Sequence, residues 1–545
     1  MKELEEISSN FIPTVKQGPE VKSYLQITST ELEELPSIFS ERIAREYSDS
    51  ISKENKKVLG QFFTPYEISS FMASMIDVNV SQANFRILDP GCGALILSCS
   101  LVEHLVHVNP NIKSIEIDAY DLDPALSKII PTIADKLTIW ALEKGIKVSI
   151  NYNESDFILS NFNRLKGNST SKIYDFAISN PPYFKIRKDD SRLSIFKDSL
   201  KGQQNIYSLF LLVSSALLKK DGQLVCIVPR SFTSGLYFQS FRDIFLSKME
   251  IHNFHLFDSR TSGFKKDSVL QENVIFRAVP KKNGTKANHM ILSSSNGMND
   301  LLTVSRKKFP SYQLIRNFGE LIVILLPSNS AEENAMKVFS AWRNNLSSFG
   351  MKVSTGPVVP FRSKRYLKHR KSKNSNYVPL LWLHNCKRMK LNWPARRAEK
   401  ESWIIENNES NSKTIPNQNY VLIRRFSSKD DKSKLVATPY FEENLKHNRL
   451  GIENHLNYLY RPNGDLEKIE VIGLSVLYNS SLFDSYFRSL SGNTQVNATE
   501  LNLIPLPSMD LIKYIGKRYI ALNGSGIHEI DGIVNEVLNL PQTQE

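Results

Sequence analysis

The sequence predicts an α/β fold for residues 51–285 and a mixed α/β region for residues 286–545. Short apolar segments alternate with amphipathic stretches whose apolar residues recur at helical spacing. A polar, glycine-containing section at 280–290 marks the main boundary. Residues 1–50 are polar and helix-prone, and they predict a helical leader that packs on a larger body.

The candidate strands follow one another in chain order between residues 85 and 279. They are FRILDP, SIEIDAYDLD, KVSINY, YDFAISN, GQLVCIVP, IHNFHLF and NVIFRAV. The stretch NIYSLFLLVSSALLKKDG predicts a helix before the fifth strand, with Gly222 at the position of a helix C-terminus.

The charge of the chain favours a polyanionic partner, because lysine and arginine exceed aspartate and glutamate by 13. The four cysteines form no CxxC pair, which argues against a zinc ribbon or a disulfide framework. The N-terminus does not resemble a signal peptide, and no apolar run reaches the roughly 18–20 residues of a membrane span. We therefore expect a cytoplasmic protein without a membrane or a metal as partner.

A glycine-containing corner follows the first strand. Asp89, Pro90, Gly91, Cys92 and Gly93 precede an apolar helix start. Small residues at a strand-to-helix turn let backbone amides approach a ligand, although a tight turn alone explains the pattern equally well.

Two acidic positions extend this pattern. Asp121 ends the second strand about thirty residues later, where a carboxylate can accept hydrogen bonds from ribose hydroxyls. Asp156 and Phe157 follow the third strand and could bind an adenine amine and cover its ring. Each feature alone also fits an ordinary loop. Together they indicate a nucleoside-containing cofactor, and the absence of GxGxxG argues against a nicotinamide enzyme.

The fourth strand ends in Asn180, Pro181, Pro182 and Tyr183. The prolines fix two φ angles and bias Asn180 toward an extended conformation. The Asn180 side-chain oxygen and the Pro181 carbonyl can then converge on an NH₂ group, while Tyr183 offers a surface for a ring. An adenine amine is a poor nucleophile, and acceptors placed this way stabilise the positive charge that develops on its nitrogen. The alternative interpretation is a turn with a Pro-Pro stop.

In this order the motifs resemble those of the gamma class of S-adenosylmethionine-dependent DNA adenine-N6 methyltransferases, the TaqI-like group of type II restriction-modification systems. The resemblance covers about residues 58–280. It implies a Rossmann-like domain with a seven-stranded, mostly parallel sheet containing one antiparallel strand, and a C-terminal target-recognition domain over 286–545.

The resemblance also implies residue roles. LGQFFTPYEISSFMASMI is similar to the N-terminal motif near the cofactor's methionine end, and LDPGCGALIL to the next motif, where relatives usually have a glycine in place of Leu95. The segment FDSRTSGFKKDSVLQENVIF resembles the one that supplies a second aromatic against the target base; we assign Phe264, with Phe257 as the alternative. The cofactor-binding residues implied are Phe63, Thr64, Pro65, Asp89, Pro90, Gly91, Cys92, Gly93, Asp121, Asp156 and Phe157, and the catalytic residues are Asn180, Pro181, Pro182 and Tyr183.

The C-terminal half contains two basic segments, FRSKRYLKHRKSK and NCKRMKLNWPARR. Interleaved cations and aromatics fit phosphate contacts on duplex DNA, although any single residue could equally belong to a solvated face. The candidate DNA-binding residues are Arg362, Lys364, Arg365, Lys368, Arg370 and Arg388.

The sequence thus predicts an enzyme that transfers a methyl group from S-adenosylmethionine to N6 of an adenine flipped out of duplex DNA. Methylation would protect the site from a separate restriction endonuclease. The alternatives are an N-methyltransferase acting on RNA or on a protein glutamine, and a non-catalytic DNA-binding relative.

Overall fold

The structure is a computed structural model. It describes residues 33–50, 63–162, 164, 172–187, 189–196, 200–201, 204–257, 273–282, 288–298, 300–371, 376–394, 400–426, 433–491, 495–522 and 527–540. The chain forms two compact units. The first comprises Met1–Phe232 and Tyr237–Leu314, and the second comprises Thr233–Leu236 and Ile315–Glu545.

A nine-stranded sheet with the order β3-β2-β1-β4-β5-β7-β6-β8-β9 forms the centre of the first unit. The strands β1 to β5 are parallel, and β7 runs antiparallel between β5 and β6. The bounds are β1 Asn84–Pro90, β2 Ser114–Asp121, β3 Lys147–Glu154, β4 Tyr174–Ser179, β5 Leu218–Pro229, β6 Met249–Phe257, β7 Asn273–Pro280, β8 His289–Ser295 and β9 Arg306–Pro310. The predicted Rossmann-like α/β fold is confirmed, and β1 to β7 coincide with the seven predicted strands.

The sheet has nine strands, two more than the seven predicted. The strand β8 pairs in parallel with β6, and β9 pairs antiparallel with β8. For this reason the first unit continues to Leu314 instead of ending at residue 285. The predicted boundary at 280–290 falls between β7 and β8, which both belong to the first unit.

Helices accompany the sheet of the first unit. They are α1 Pro36–Ser50, α2 Tyr66–Ser74, α3 Ile96–Val108, α4 Ile130–Leu142, α5 Phe157–Ser160, α6 Ile206–Leu217, α7 Gln239–Lys248 and α8 Ser311–Leu314. The helix α1 packs on α3 and α4, so the described part of the leader belongs to this unit. Buried aliphatic and aromatic residues between the sheet and these helices form its core.

The predicted role of Gly222 is wrong. Helix α6 ends at Leu217, and Gly222 lies within β5. A Cβ at this position would stand 2.9 Å from the carbonyl oxygen of Tyr174, so the close approach of β4 and β5 requires a glycine.

The second unit contains smaller sheets with the orders β10-β11, β12-β22-β19-β20, β13-β17-β14-β21-β18 and β15-β16. The strands are β10 Ile315–Phe318, β11 Leu321–Ile324, β12 Lys352–Thr355, β13 Leu367–Lys368, β14 Tyr377–Leu381, β15 Cys386–Lys387, β16 Lys390–Leu391, β17 Trp403–Ile405, β18 Thr414–Pro416, β19 Tyr420–Arg424, β20 Ala437–Tyr440, β21 Arg449–Ile452 and β22 Leu456–Tyr460. The helices are α9 Ser330–Ser340, α10 Pro360–Ser363, α11 Lys468–Asn479, α12 Ser481–Leu490, α13 Ala498–Leu503, α14 Met509–Ala521 and α15 Ile527–Val537. The predicted mixed α/β character of this region is confirmed. None of the helices in the described part of the chain is long and apolar enough to cross a membrane.

Candidate active site

The glycine corner lies at the carboxyl ends of β1 and β2. The amides of Gly91 and Cys92 both donate to the carbonyl oxygen of Tyr120, at 2.8 and 2.9 Å. The Gly93 amide donates to Oδ2 of Asp121 at 2.9 Å. The predicted ribose-binding carboxylate is therefore already joined to the predicted glycine turn. Burial raises the pKa of Asp121 to about 6.

Phe63 covers this turn. A Cβ at Gly93, whose φ is +49°, would lie 3.2 Å from Cε1 of Phe63. Glycine is required here both by its conformation and by the close aromatic ring. Pro65 comes directly before α2 and has an extended conformation, so the Phe63-Thr64-Pro65 segment enters α2 beside the corner.

Leu95 adopts the conformation that a glycine would favour. Its φ is +62°, and it lies directly before α3 with a fully buried side chain. Glycine adopts this conformation without strain, so the glycine that the family resemblance implies at this position would fit the same turn. Leu95 compensates for the conformational cost by packing in the core of the first unit.

Asp89 carries an acceptor with no partner in the described residues. Its carboxyl group is fully buried, with Oδ2 accepting from the Ser98 hydroxyl at 2.6 Å and Oδ1 accepting no hydrogen bond. Burial raises the pKa of Asp89 to about 7. Buried polar atoms rarely lack a partner, so this oxygen is a candidate acceptor for a ligand.

The segment after β3 is held from both sides. Asp156 accepts from the Leu159 amide at 2.9 Å and forms an ion pair with Arg192 at 3.4 Å. The ring of Phe157 is 2% exposed and lies 5.3 Å from the ring centroid of Phe210. Phe157 is thus mostly enclosed by protein, and its expected role against an adenine ring stays a prediction.

The Asn-Pro-Pro-Tyr corner meets the glycine corner. The Ser179 hydroxyl donates to the carbonyl oxygen of Pro90 at 2.7 Å. A Cβ at Gly91 would stand 3.8 Å from Pro182 and 4.0 Å from the carbonyl oxygen of Asn180. The structure therefore brings two motifs that are about ninety residues apart to the same edge of the parallel sheet, as expected for strands that share a direction.

The Asn180 amide is oriented from both ends. Its Nδ2 donates to the buried Thr64 hydroxyl at 3.1 Å, and its Oδ1 lies 2.6 Å from the hydroxyl of Tyr183. That hydroxyl is also 2.9 Å from the carbonyl oxygen of Ile227, and with one proton it donates to one of the two oxygens at a time. Burial keeps the pKa of Tyr183 well above its ordinary value, so it stays a phenol. The expected convergence of Asn180 Oδ1 with the Pro181 carbonyl stays a prediction.

Of the two candidates for the second aromatic, Phe264 lies outside the described residues. Phe257 ends β6 with 8% of its surface exposed, and its ring packs edge-on against His255 with the centroids 4.9 Å apart. Phe257 therefore belongs to the core.

The basic segment after residue 360 exposes most of its cations. Arg362, Lys364, Arg365, Lys368 and Arg370 are exposed. Their aromatic neighbour Phe361 is 77% exposed, and the Arg362 guanidinium lies 5.2 Å from its ring centroid.

Two of the predicted DNA-binding arginines have protein partners. Arg365 forms an ion pair with Glu409 at 2.9 Å. Arg388 is half-buried and donates to the Ser433 hydroxyl at 2.6 Å. Their expected role on DNA stays a prediction.

Sequence reasoning missed several residues at this site. Phe210 lies against the Gly91 turn, and Tyr207 packs edge-on against Tyr183 with ring centroids 6.2 Å apart. Both lie on the apolar helix α6, where nothing local separates them from core residues. Tyr47 on α1 donates to Asp123, and its ring lies 6.0 Å from that of Phe63. Only a pairing between distant parts of the chain could have revealed that contact.

Comparison with known proteins agrees with this arrangement. A protein-family profile described as Eco57I restriction-modification methylase matches residues 101–264. The chain is 30% identical over 512 residues to the type II methyltransferase M.PstI of Providencia stuartii, covering 94% of this chain and 99% of that protein. It is 32% identical over 489 residues to the type II methyltransferase M.BsuBI of Bacillus subtilis, covering 89% and 95%. Among solved structures, the DrdV-DNA complex matches with a TM-score of 0.45 and 12% identity over 91% of this chain and 60% of that chain, too distant for any argument.

The fold, the two joined corners and these relatives define a methyltransferase. More specifically, the chain belongs to the type II DNA methyltransferases of restriction-modification systems.

Proposed function

We propose that this protein transfers a methyl group from S-adenosylmethionine to N6 of an adenine in duplex DNA. The observation that carries the proposal is the contact between the Asn-Pro-Pro-Tyr corner and the glycine corner, through Ser179, Pro90 and Gly91. A cofactor bound at the glycine corner would lie beside a substrate bound at the Asn-Pro-Pro-Tyr corner.

The residues present fit this cofactor. S-adenosylmethionine carries an ammonium group and ribose hydroxyls, all of them hydrogen-bond donors. The corner offers the unpartnered Oδ1 of Asp89 and the carboxylate of Asp121. Phe63, Thr64 and Pro65 would bound the methionine end, and Asp156 and Phe157 the adenine end. When bound, the cofactor supplies an electrophilic methyl group on a sulfonium.

The protein's own part in the reaction is to hold the amine. Asn180 Oδ1 and the Pro181 carbonyl accept hydrogen bonds from the two N–H groups of the adenine amine. They stabilise the positive charge that develops on its nitrogen. Pro182 stiffens the turn, and the ring of Tyr183 supports the base. Because the target amine is inaccessible in a duplex, the adenine must be flipped out, at a cost of a few kcal/mol.

The corner's chemistry suits an exocyclic amine, and we assign adenine because the Asn-Pro-Pro-Tyr motif resembles that of DNA adenine-N6 methyltransferases. This corner needs neither a nucleophilic thiol nor a strong base. The thiol of Cys92 beside it is buried, which raises its pKa well above the ordinary value and keeps it unreactive. Cytosine N4 has a similar amine and is the closest competing target.

The exposed cations after residue 360 support duplex DNA as the partner, with Arg362, Lys364 and Lys368 on phosphates. We further propose that the protein acts in the cytoplasm and protects DNA from a separate restriction endonuclease. An RNA or protein-glutamine substrate would not require the second unit with its exposed cations.

Methylation-sensitive sequencing tests the proposal. DNA from cells that express this chain, in a host without adenine methylation, should carry N6-methyladenine at one recurring sequence. Modification of cytosine only, or no modified DNA from an active protein, would reject the adenine assignment or the DNA substrate respectively.

A further inference from the structure

A cluster in the second unit contains an unusual concentration of buried polar atoms without partners. Among the described residues, Nε of Arg425 and Oδ1 of Asn454 are buried and make no hydrogen bond. Such atoms are normally paired, because burying them without a partner is unfavourable. We call Arg425, Glu453, Asn454 and His455 the polar cluster.

The members of the polar cluster are bonded to one another through the backbone. The Arg425 amide donates to the carbonyl oxygen of His455 at 2.9 Å, and Nη1 of Arg425 donates to the carbonyl oxygen of Asn454 at 3.2 Å. The two unpaired atoms therefore belong to neighbouring residues.

The polar cluster adjoins the basic segment. The Val358 amide donates to the Ile452 carbonyl at 3.0 Å, and the Asn454 amide donates to the Val358 carbonyl at 2.9 Å. Helix α10, which carries Phe361 and Arg362, begins two residues after Val358. A polyanion held by the exposed cations would thus run close to the polar cluster.

The polar cluster combines an unpaired donor with an unpaired acceptor, and this combination distinguishes base edges from phosphates as its partner. A phosphate offers only acceptors, so it could satisfy Arg425 but not the unpaired oxygen of Asn454. Base edges in the major groove present both amines and acceptors, and Asn and Arg are the side chains that pair with adenine and guanine there. The unpaired atoms therefore fit the base edges of a nucleic acid better than its phosphate backbone.

Glu453 lies behind His455. Its side chain is 1% exposed, whereas that of His455 is 48% exposed, and Oε1 of Glu453 lies 2.5 Å from Nδ1 of His455. This contact fixes the ring, and almost half of the His455 side chain remains exposed. Burial raises the pKa of Glu453 to about 7, opposed by the amide of His455, by Lys400, by the amide of Leu383 and by Arg425, and burial lowers the pKa of His455. Near neutral pH the imidazole is uncharged and can donate or accept.

We propose that Arg425, Asn454 and His455 contact base edges of the recognition sequence, and that Glu453 is a positioning residue that holds His455. This inference depends on the proposed methylation of DNA and assigns its sequence specificity to named side chains. The unpaired Asn454 oxygen is expected to accept from an exocyclic amine, that of adenine or cytosine.

The test measures which sequences each variant methylates. Genomic DNA is incubated with the full chain and S-adenosylmethionine, and its methylated positions are mapped by sequencing. Asn454→Ala and His455→Ala should each relax the choice of base at one position of the recognised sequence, with selectivity there falling about 10-fold or more. Glu453→Gln should relax the position that His455→Ala relaxes, to a smaller extent.

Asn463→Ala is the matched control, since Asn463 is exposed and lies beyond the other end of β22 from His455. It should leave the recognised sequence unchanged. If Asn454→Ala and His455→Ala both keep wild-type selectivity, or lose it evenly at all positions, the inference is wrong. If the wild type methylates no DNA, the proposed function fails instead. Should Glu453→Gln not fold, the other two variants decide.

Discussion

The Tyr183 hydroxyl occupies the acceptor that the proposed reaction needs. It lies 2.6 Å from Asn180 Oδ1, which is where an adenine amine would have to donate. Asn180 Oδ1 has two lone pairs, and the carbonyl oxygen of Ile227, 2.9 Å from the hydroxyl, is a second acceptor to which the hydroxyl can turn when the base enters. In the proposed reaction, the ring of Tyr183 alone supports the base.

Replacing Tyr183 with phenylalanine should therefore preserve transfer. We expect the single-turnover rate of Tyr183→Phe to stay within about 3-fold of wild type, because the ring is retained. Tyr183→Ala should lose about 10-fold or more, since stacking of a base on an aromatic contributes roughly 1–3 kcal/mol. Equal losses in both variants would show that the hydroxyl, not the ring, is what matters.

Leu95 offers a test of the glycine corner that does not depend on activity. At φ +62° any side chain costs roughly 1–2 kcal/mol, whereas glycine avoids that cost. Both Leu95→Gly and Leu95→Ala lose the buried side chain and should unfold at a lower urea concentration than wild type. For alanine we expect the free energy of unfolding to fall by about 2–5 kcal/mol. Leu95→Gly should be the more stable of the two, the reverse of the usual order near a helix. The opposite order would contradict the left-handed conformation.

At the scale of elements, the strands were predictable because apolar runs of strand length mark them directly. The extra strands were not. In β8 the apolar residues give way to three serines, and β9 begins with three exposed cations, so neither stands out from a loop. The end of α6 was misplaced because the chain passes from Leu217 into β5 without a break, and Gly222 serves the sheet.

The candidate site, too, was predictable from the sequence only in part. Motifs confined to one loop, such as Asp89 to Gly93 or Asn180 to Tyr183, were visible as sequence. Contacts between elements far apart in the chain, such as that of Tyr47 with Asp123, were not, because no local spacing encodes them.

Helix α1 is tied to the glycine corner by such contacts. Tyr47 bonds to Asp123, whose own amide donates to Asp121 at 3.0 Å. Tyr47→Phe removes one charge-assisted hydrogen bond, of about 1.5–3 kcal/mol, and loosens the turn after β2 in which Asp123 holds the Asp121 carboxylate. We expect the dissociation constant for S-adenosylmethionine to rise about 3- to 10-fold in calorimetry. Tyr312→Phe, at a tyrosine that is 71% exposed, is the control. An unchanged affinity in Tyr47→Phe would remove α1 from cofactor binding.

At the scale of the whole molecule, the excess of 13 positive charges predicts DNA binding that weakens with salt. Each cation that neutralises a phosphate contributes about 0.9 to the slope of log affinity against log salt. Replacing Lys364, Lys368 and Arg370 with alanine should therefore reduce that slope by about 2 to 3.

A second triple variant separates local contacts from net charge. Replacing Lys513, Lys517 and Arg518 on α14 removes the same charge, but Lys513 and Arg518 already pair with Glu467 and Glu536. Its salt slope, measured by fluorescence anisotropy with a labelled duplex, should stay close to wild type. Equal reductions in both variants would mean that the basic segment makes no particular contact.

The most direct test of the central claim follows the methyl group itself. Wild type and Asn180→Ala are supplied with S-adenosylmethionine labelled in its methyl group and with duplex DNA, and the DNA is digested to nucleosides. We predict label in N6-methyldeoxyadenosine for wild type and a loss of at least about 100-fold in Asn180→Ala, with cofactor affinity retained. Wild-type turnover in Asn180→Ala, or label only in methylcytosine or in protein, would contradict the account.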